Sequence, residues 1–461
     1  MIEQVAYRSL QYNGAGTLRA HKGYFPPKLL VAMVFGCIVL GERVFISVDS
    51  GGRGQSPVLE ILFPPILFLA LVMEQRTSAF LFCTHRRFLW SWAPFLFLGL
   101  VLPVLGVVIN EFPVRSLFLI NNIVLAACGL IVGSWVGEAY LESRAVRKLF
   151  IGTVLLELGA SIVQTGITFG LFTGIPLMRA LYEWDEQFKI RWNEHNVILA
   201  RASGTFLNPN TLGVYAILAF WFAILFTHGK WRVVCTISTL VTLLLSGSRG
   251  SLFGFVVSLV VFGLFGRQRK LARETLKFCR IFALSALMFA AVILVTSTIV
   301  NIGFLRDPAI VERYREAAAV LATGSDQGGN FDGRVGVWQR AEEYILDQPF
   351  GVLGPPQMVT QLPPDNAYVF TALQGGVPYL ACFLLLLAGG ISFNCKSPGT
   401  AYIAAVSIAI ATNSISCIPT GYACFLLYWL CLGAALSNRN SLASVGESAA
   451  LIAGTTSEGV R

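Results

Sequence analysis

Apolar runs of roughly 16 to 25 residues recur about twelve times along the chain, near 28–48, 57–73, 88–109, 117–141, 149–171, 209–227, 231–247, 250–266, 279–300, 366–390, 399–414 and 419–437. Each has the length a helix needs to cross a ~30 Å hydrocarbon core. Polar intervals of very different length separate them. Most are short; two are long, at 174–208 and 301–365. The pattern predicts an all-α polytopic membrane protein with about 12 transmembrane helices and a large, partly helical loop between helices 9 and 10. The expected division is an N-terminal segment over 1–27, helices 1–9 over 28–300, the large loop over 301–365, helices 10–12 over 366–437 and a tail over 438–461.

Composition agrees with that reading and charge orients it. The chain is 55% hydrophobic and 13% charged, with a mean hydropathy of +0.68, more apolar surface than a soluble chain of 461 residues can hide. The net charge of +9 follows from topology. Alternate gaps hold Arg76, Arg86 and Arg87; Arg144, Arg147 and Lys148; Lys230 and Arg232; and Arg267, Arg269, Lys270, Arg273, Lys277 and Arg280. Positive residues favour the cytoplasmic side, so both termini and these gaps are expected inside. Nucleic acid drops out as a partner. The N-terminal stretch lacks the short apolar core of a cleaved signal peptide. The ten cysteines show no CxxC spacing and the four histidines are scattered, so no metal centre or disulfide framework is expected.

The two long outer loops carry arginine almost to the exclusion of lysine: Arg179, Arg191, Arg201, Arg306, Arg313, Arg315, Arg334 and Arg340 against Lys189. Arginine presents a planar fork suited to phosphate or carboxylate. The same side chains would also serve to hold acidic headgroups or nearby glutamates.

Three motifs concentrate this chemistry. Arg201-Ala-Ser-Gly-Thr-Phe-Leu-Asn208-Pro209-Asn210 runs into a span; an Asn cap and a Pro in the first turn suit a helix start, but they leave Arg201 unexplained. Ser246-Gly247-Ser248-Arg249-Gly250-Ser251 joins two runs with almost no loop. Arg249 is therefore expected at the membrane rim, where it either snorkels or binds a ligand. In the third, Gly333-Arg334-x-x-x-Trp338-x-x-Ala341 precedes Pro349-Phe350-Gly351-Val352-Leu353-Gly354 and Asp365-Asn366-Ala367-Tyr368. Arg334, Trp338, Ala341 and Ile345 share a helical face, where Trp338 is expected to pack. Asp365 serves either as a plain cap or as a chemical group. Glu157 lies in mid-run and has no partner that the sequence names, so it stays outside the expected site.

With these motifs in order over about 200–390, the chain resembles the O-antigen ligase and polymerase superfamily of bacterial inner membranes. That family pairs about twelve spans with a Gly-x-Phe-x-Asn-Pro-Asn helix start, a Ser-Arg-Gly hairpin and a periplasmic loop bearing Arg-x-x-x-Trp, Pro-x-Gly-x-Gly and His-Asn-x-Tyr. The departure is Asp365-Asn366 where the family has His-Asn. Either Asp365 is the base or the role has moved, with His195 the histidine of the other outer loop. The glycine signature is altered too, and both changes favour a polymerase of capsule, exopolysaccharide or O-antigen over a lipopolysaccharide ligase.

The resemblance implies a glycosyltransferase that joins undecaprenyl-diphosphate-linked glycan units at the periplasmic face, with inversion. An acceptor hydroxyl attacks the anomeric carbon and the lipid diphosphate leaves. Arg201, Arg249 and Arg334, with Arg191 in support, are the expected diphosphate-binding residues, and Asp365 the expected base. Asn208, Asn210, Asn366 and Tyr368 support them. No cofactor or metal is implied. The partners are the lipid-linked donor, a glycan acceptor, the bilayer and, by family analogy, a chain-length regulator. A ligase or protein oligosaccharyltransferase differs only in acceptor. A transporter would show an internal repeat, and none is evident.

Overall fold

The computed structural model describes residues 27–40, 45–47, 55–73, 86–113, 117–168, 176, 201–206, 208–265, 330–356, 366–391, 398–412 and 423–436. Their helices are α1 (Pro27–Leu40), α2 (Val58–Met73), α3 (Arg86–Ile109), α4 (Phe118–Leu141), α5 (Arg144–Thr168), α6 (Pro209–Phe226), α7 (Gly229–Leu245), α8 (Arg249–Phe265), α9 (Asn330–Asp347), α10 (Ala367–Gly390), α11 (Pro398–Thr412) and α12 (Leu426–Leu436). A helix stands at each apolar run read from the sequence except that at 279–300, which lies outside the described residues, as do the N-terminal segment before 27, most of both long loops and the tail after 436. Among the described residues four helices are long and apolar enough to cross a membrane: α3, α4, α6 and α10.

The protein is helical, with one short addition among the described residues. Strands β1 (Phe45–Ser47) and β2 (Gln55–Pro57) pair antiparallel, Ile46 opposite Ser56. Helix α1 thus ends earlier than its apolar run suggests. The charges of Glu42 and Arg43 follow Leu40 in sequence, and a β-branched and aromatic triplet comes after them.

At the centre stands α6. It is apolar on every side, the composition of a helix wholly enclosed by others, and nearly every residue from Thr211 to Phe226 is buried. Its neighbours meet it through rings: Phe222 lies 4.5 Å from Phe150 of α5, Phe220 4.7 Å from Phe255 of α8, and Trp221 donates its indole N–H to Ser258 Oγ at 3.0 Å. Elsewhere small residues let backbones touch. Gly129 and Gly133 of α4 face α12, and Gly433 of α12 faces Leu130; a Cβ at Gly133 or Gly433 would collide with the opposing carbonyl. Such small-residue faces drive helix association where solvent supplies no hydrophobic force.

These contacts show which helix ends lie together. Phe226, at the C-terminal end of α6, stacks near Tyr402 early in α11 at 6.2 Å, so the start of α6 lies beside the end of α11. Asn366, before α10, donates its amide to the Ala411 carbonyl late in α11 at 2.5 Å. Helix α3 runs antiparallel to α10, with Phe95 stacked on Tyr379 at 5.0 Å and Gly106 against Leu353. One end of the bundle therefore gathers the starts of α6, α8 and α10 and the ends of α3, α7 and α11. The opposite end gathers Arg144, Arg147 and Lys148 at the start of α5 and Lys230 and Arg232 at the start of α7.

Candidate active site

Residues 201–208 lead into α6 at the first of these ends. Asn208 is the N-cap of α6: its backbone is extended and its side-chain oxygen accepts from the Asn210 amide at 2.8 Å, with Pro209 at the first helical position. Asn210 turns its own side chain outward to Arg201, whose Nη2 donates to Asn210 Oδ1 at 2.5 Å. Arg201 Nε donates to the Ser246 carbonyl at 2.9 Å, and Ala202 N–H donates to the Leu245 carbonyl at 3.0 Å. The first two motifs thus meet. The guanidinium bridges the start of α6 and the turn that ends α7, three residues before Arg249 opens α8.

Two glycines make that junction possible. Gly247 takes a positive φ of 56° with the Arg201 side chain packed over it, and Gly213, one turn into α6, lies against Ser248 and Ser251. A Cβ at Gly213 would stand 2.5 Å from Ser251 Oγ, so α6 and the start of α8 touch almost backbone to backbone. The hydroxyls of Ser248 and Ser251 pair at 2.8 Å.

The other face of the 201–208 segment is held by α5. Gln164 Oε1 accepts from the amides of Ser203 at 3.0 Å and Gly204 at 2.9 Å, and its Nε2 donates to the Gly204 carbonyl at 2.7 Å. Glu157 Oε2 accepts from the Thr205 amide at 2.9 Å, and its Oε1 takes the Thr205 hydroxyl. Glu157 is fully buried and Gln164 nearly so. Glu157 lies outside the site expected from the sequence, yet the sequence carries a signal for it. Thr153, Glu157, Ser161 and Gln164 recur at helical spacing along one face of an apolar run, and all four are buried.

The third motif assembles around a break in α10. Gly375 and Gly376 leave helical geometry and Pro378 follows. In an unbroken helix the Val377 amide would bond the Leu373 carbonyl. Here the 349–354 segment fills the break. Val377 N–H donates to the Pro349 carbonyl at 2.9 Å and Val352 N–H donates to the Leu373 carbonyl at 2.8 Å. Gly351 (φ 71°) lies against the backbone of Leu373 and Gly376, and Gly376 (φ 69°) against that of Pro349 and Phe350, so closely that a Cβ at either would collide. Asn110, just past α3, donates its amide to the Val352 carbonyl at 2.8 Å. Leu353 takes a left-handed φ of 60°, unusual for a branched side chain, with its carbonyl against Gly106.

Helix α9 leans on the start of α10 across a cavity of about 360 Å³ lined by Trp338, Ala341, Glu342, Ile345, Leu346, Asn366 and Val369. Trp338, Ala341 and Ile345 share the face that the spacing predicted. The Trp338 indole N–H is buried without a hydrogen-bond partner. Burial raises the Tyr344 phenol above its ordinary pKa, and the hydroxyl donates to Gln348 at 2.7 Å. Asn366 caps α10, accepting from the amides of Tyr368 at 2.9 Å and Val369 at 3.2 Å, while Tyr368 donates its hydroxyl to the Ser407 carbonyl at 3.1 Å.

The predicted site residues divide accordingly. Arg201, Asn208 and Asn210 form one cluster; Asn366 and Tyr368 belong to the other. Arg249 is the first residue of α8 and Arg334 lies in the first turns of α9, with side chains outside the described set. Arg191, His195 and Asp365 lie outside the described residues, Asp365 directly before the cap residue Asn366. Among the described residues no group of three or more His, Cys, Asp or Glu side chains is placed to hold a metal ion.

A helical bundle with four described helices long and apolar enough to cross a membrane is compatible with a multi-pass membrane protein, and both groups of polar contacts lie at one of its ends. Residues 233–384 match the family model described as O-antigen ligase. The match supports the O-antigen ligase and polymerase superfamily that the motifs resemble, whose members are glycan-processing enzymes. The matched stretch holds Arg249, Arg334, Asn366 and Tyr368. No curated protein matches the sequence.

Proposed function

We propose that the protein is a polysaccharide polymerase acting on undecaprenyl-diphosphate-linked glycan at the periplasmic face of the bacterial inner membrane. The observation that carries the proposal is the junction at Arg201. A guanidinium tied to Asn210 and Ser246 sits beside the turn that leads to Arg249, at the bundle end away from the lysine- and arginine-rich starts of α5 and α7. Lysine- and arginine-rich loops favour the cytoplasmic side, which supports a periplasmic site.

An acceptor sugar hydroxyl attacks the anomeric carbon of the donor. The new glycosidic bond forms as the bond to the diphosphate breaks, inverting the centre, and the lipid diphosphate leaves with its electron pair. Arg201, Arg249 and Arg334, with Arg191, neutralise the charge that grows on the leaving oxygens. Fixed donors are most effective where charge develops. Asp365 takes the hydroxyl proton. Its position beside the firmly held Asn366 suits a base that must lie within hydrogen-bond reach of its substrate.

The test is a gel of products from purified protein and a lipid-diphosphate-linked repeat unit. Wild type is expected to give a glycan ladder that Arg249→Ala and Arg334→Ala lose. Transfer of a single block to an added acceptor, without a ladder, would instead make it a ligase or oligosaccharyltransferase. Substrate movement across liposomes without bond formation would sink the enzyme reading.

A further inference from the structure

Glu157 and Gln164 have no part in the chemistry above, yet they hold the segment that carries Arg201. Gln164 presents donor and acceptor to the backbone of Ser203 and Gly204 as a neighbouring strand would. Only an amide side chain, glutamine or asparagine, offers a carbonyl acceptor beside an N–H donor on one planar group. Glu157 takes both donors of Thr205, and Gly204, at φ 60°, is the residue that lets the carboxylate approach. Acids and amides inside an apolar helix are costly and are kept where they meet a specific partner. On its far side the same segment is tied to the end of α7 by the Ala202 amide and Arg201 Nε. Residues 201–205 are thus a strap stretched between α5 and the α7–α8 turn.

We infer that Glu157 and Gln164 are positioning residues for the donor site: they set the height and rotation of the strap, and through it the place of Arg201. The inference rests on reading Arg201 as a diphosphate-binding residue. The carboxylate at 157 accepts from two donors of Thr205. Glu157→Gln can keep both contacts, its oxygen accepting from the Thr205 amide and its amide donating to the hydroxyl. Gln164→Met keeps the volume and loses all three contacts.

The experiment compares wild type, Gln164→Met, Glu157→Gln, Arg201→Ala and the Gln164→Met/Arg201→Ala pair in lipid nanodiscs. Hydrogen–deuterium exchange at 203–205 reads the strap with no substrate present. Gln164→Met should speed it by about tenfold or more, as expected when a buried bond network opens locally, and Glu157→Gln should leave it near wild type. With the lipid-diphosphate repeat unit, Gln164→Met should lower kcat/KM by roughly tenfold. The paired variant should fall little below Arg201→Ala alone, since residues acting through one another do not add. Unchanged exchange in Gln164→Met would overturn the strap. Losses that multiply in the pair would show that Gln164 does not act through Arg201. If wild type makes no glycosidic bond, the proposed function fails, and the exchange result still decides whether the strap exists.

Discussion

The loop before α6 is held mostly by side chains, whereas the loop before α10 is held mostly by main chain. At 201–208 the bonds come from Glu157, Gln164, Arg201 and Asn208, each reaching a backbone group or a neighbour. At 349–354, apart from the Asn110 amide on the Val352 carbonyl, the bonds run between peptide groups across the broken turn of α10, and the residues that permit them are glycines without side chains. A side-chain tether can adjust by a rotamer; a peptide-to-peptide contact has no such slack. The α10 junction should therefore be the more brittle of the two, and the Arg201 loop the more tunable.

Gly376→Ala should break that comparison hardest. Its φ of 69° and its backbone neighbours at Pro349 and Phe350 leave no room for a Cβ. We expect a loss on the order of 3 kcal/mol or more from left-handed strain and overpacking together, seen as a large fall in the detergent melting temperature. Gly204→Ala meets the same strain, but its nearest neighbour is the Glu157 side chain, which can move. A cost of about 2 kcal/mol is expected there, again by melting. Equal losses at the two glycines would remove the distinction between the loops.

Asn366 sharpens the comparison with a smaller effect. Its oxygen caps α10 and its amide reaches the Ala411 carbonyl of α11. Asn366→Ala loses both and should cost about 1 to 2 kcal/mol, at the upper range for a helix cap. Asn366→Asp keeps the cap and loses only the amide donor, so the melting temperature should fall less. The reverse order would mean that the link to α11, not the cap, holds this helix start.

How much of this was legible in the sequence varied with the range of the interaction. Local features read well. Asn208-Pro209 marks a helix start that the structure caps as expected, and Trp338, Ala341 and Ile345 share the face that their spacing implies, whereas the cap of α10 is Asn366, one residue after the Asp365 that the sequence offered for it. Long-range pairings did not. Glu157 meets Thr205, 48 residues along, and no local pattern names that partner, although the polar stripe of α5 announced that one exists. The break in α10 falls at Gly375-Gly376, inside the apolar run at 366–390, and no local pattern names residues 349–352 as what fills it. The apolar run beginning at 28 hid the end of α1 at Leu40, because hydrophobicity alone does not separate a helix from the strand that follows.

The central claim is that the arginines of both loops serve one diphosphate. Binding of undecaprenyl diphosphate to the purified protein in nanodiscs tests it most directly, measured for wild type, Arg201→Ala, Arg334→Ala and the double variant. The account predicts that each single change weakens binding by about tenfold or more, and that the double variant loses less than the product of the two, as coupled contacts to one ligand do. Independent, fully multiplicative losses, or a single variant that binds as wild type does, would contradict a shared site.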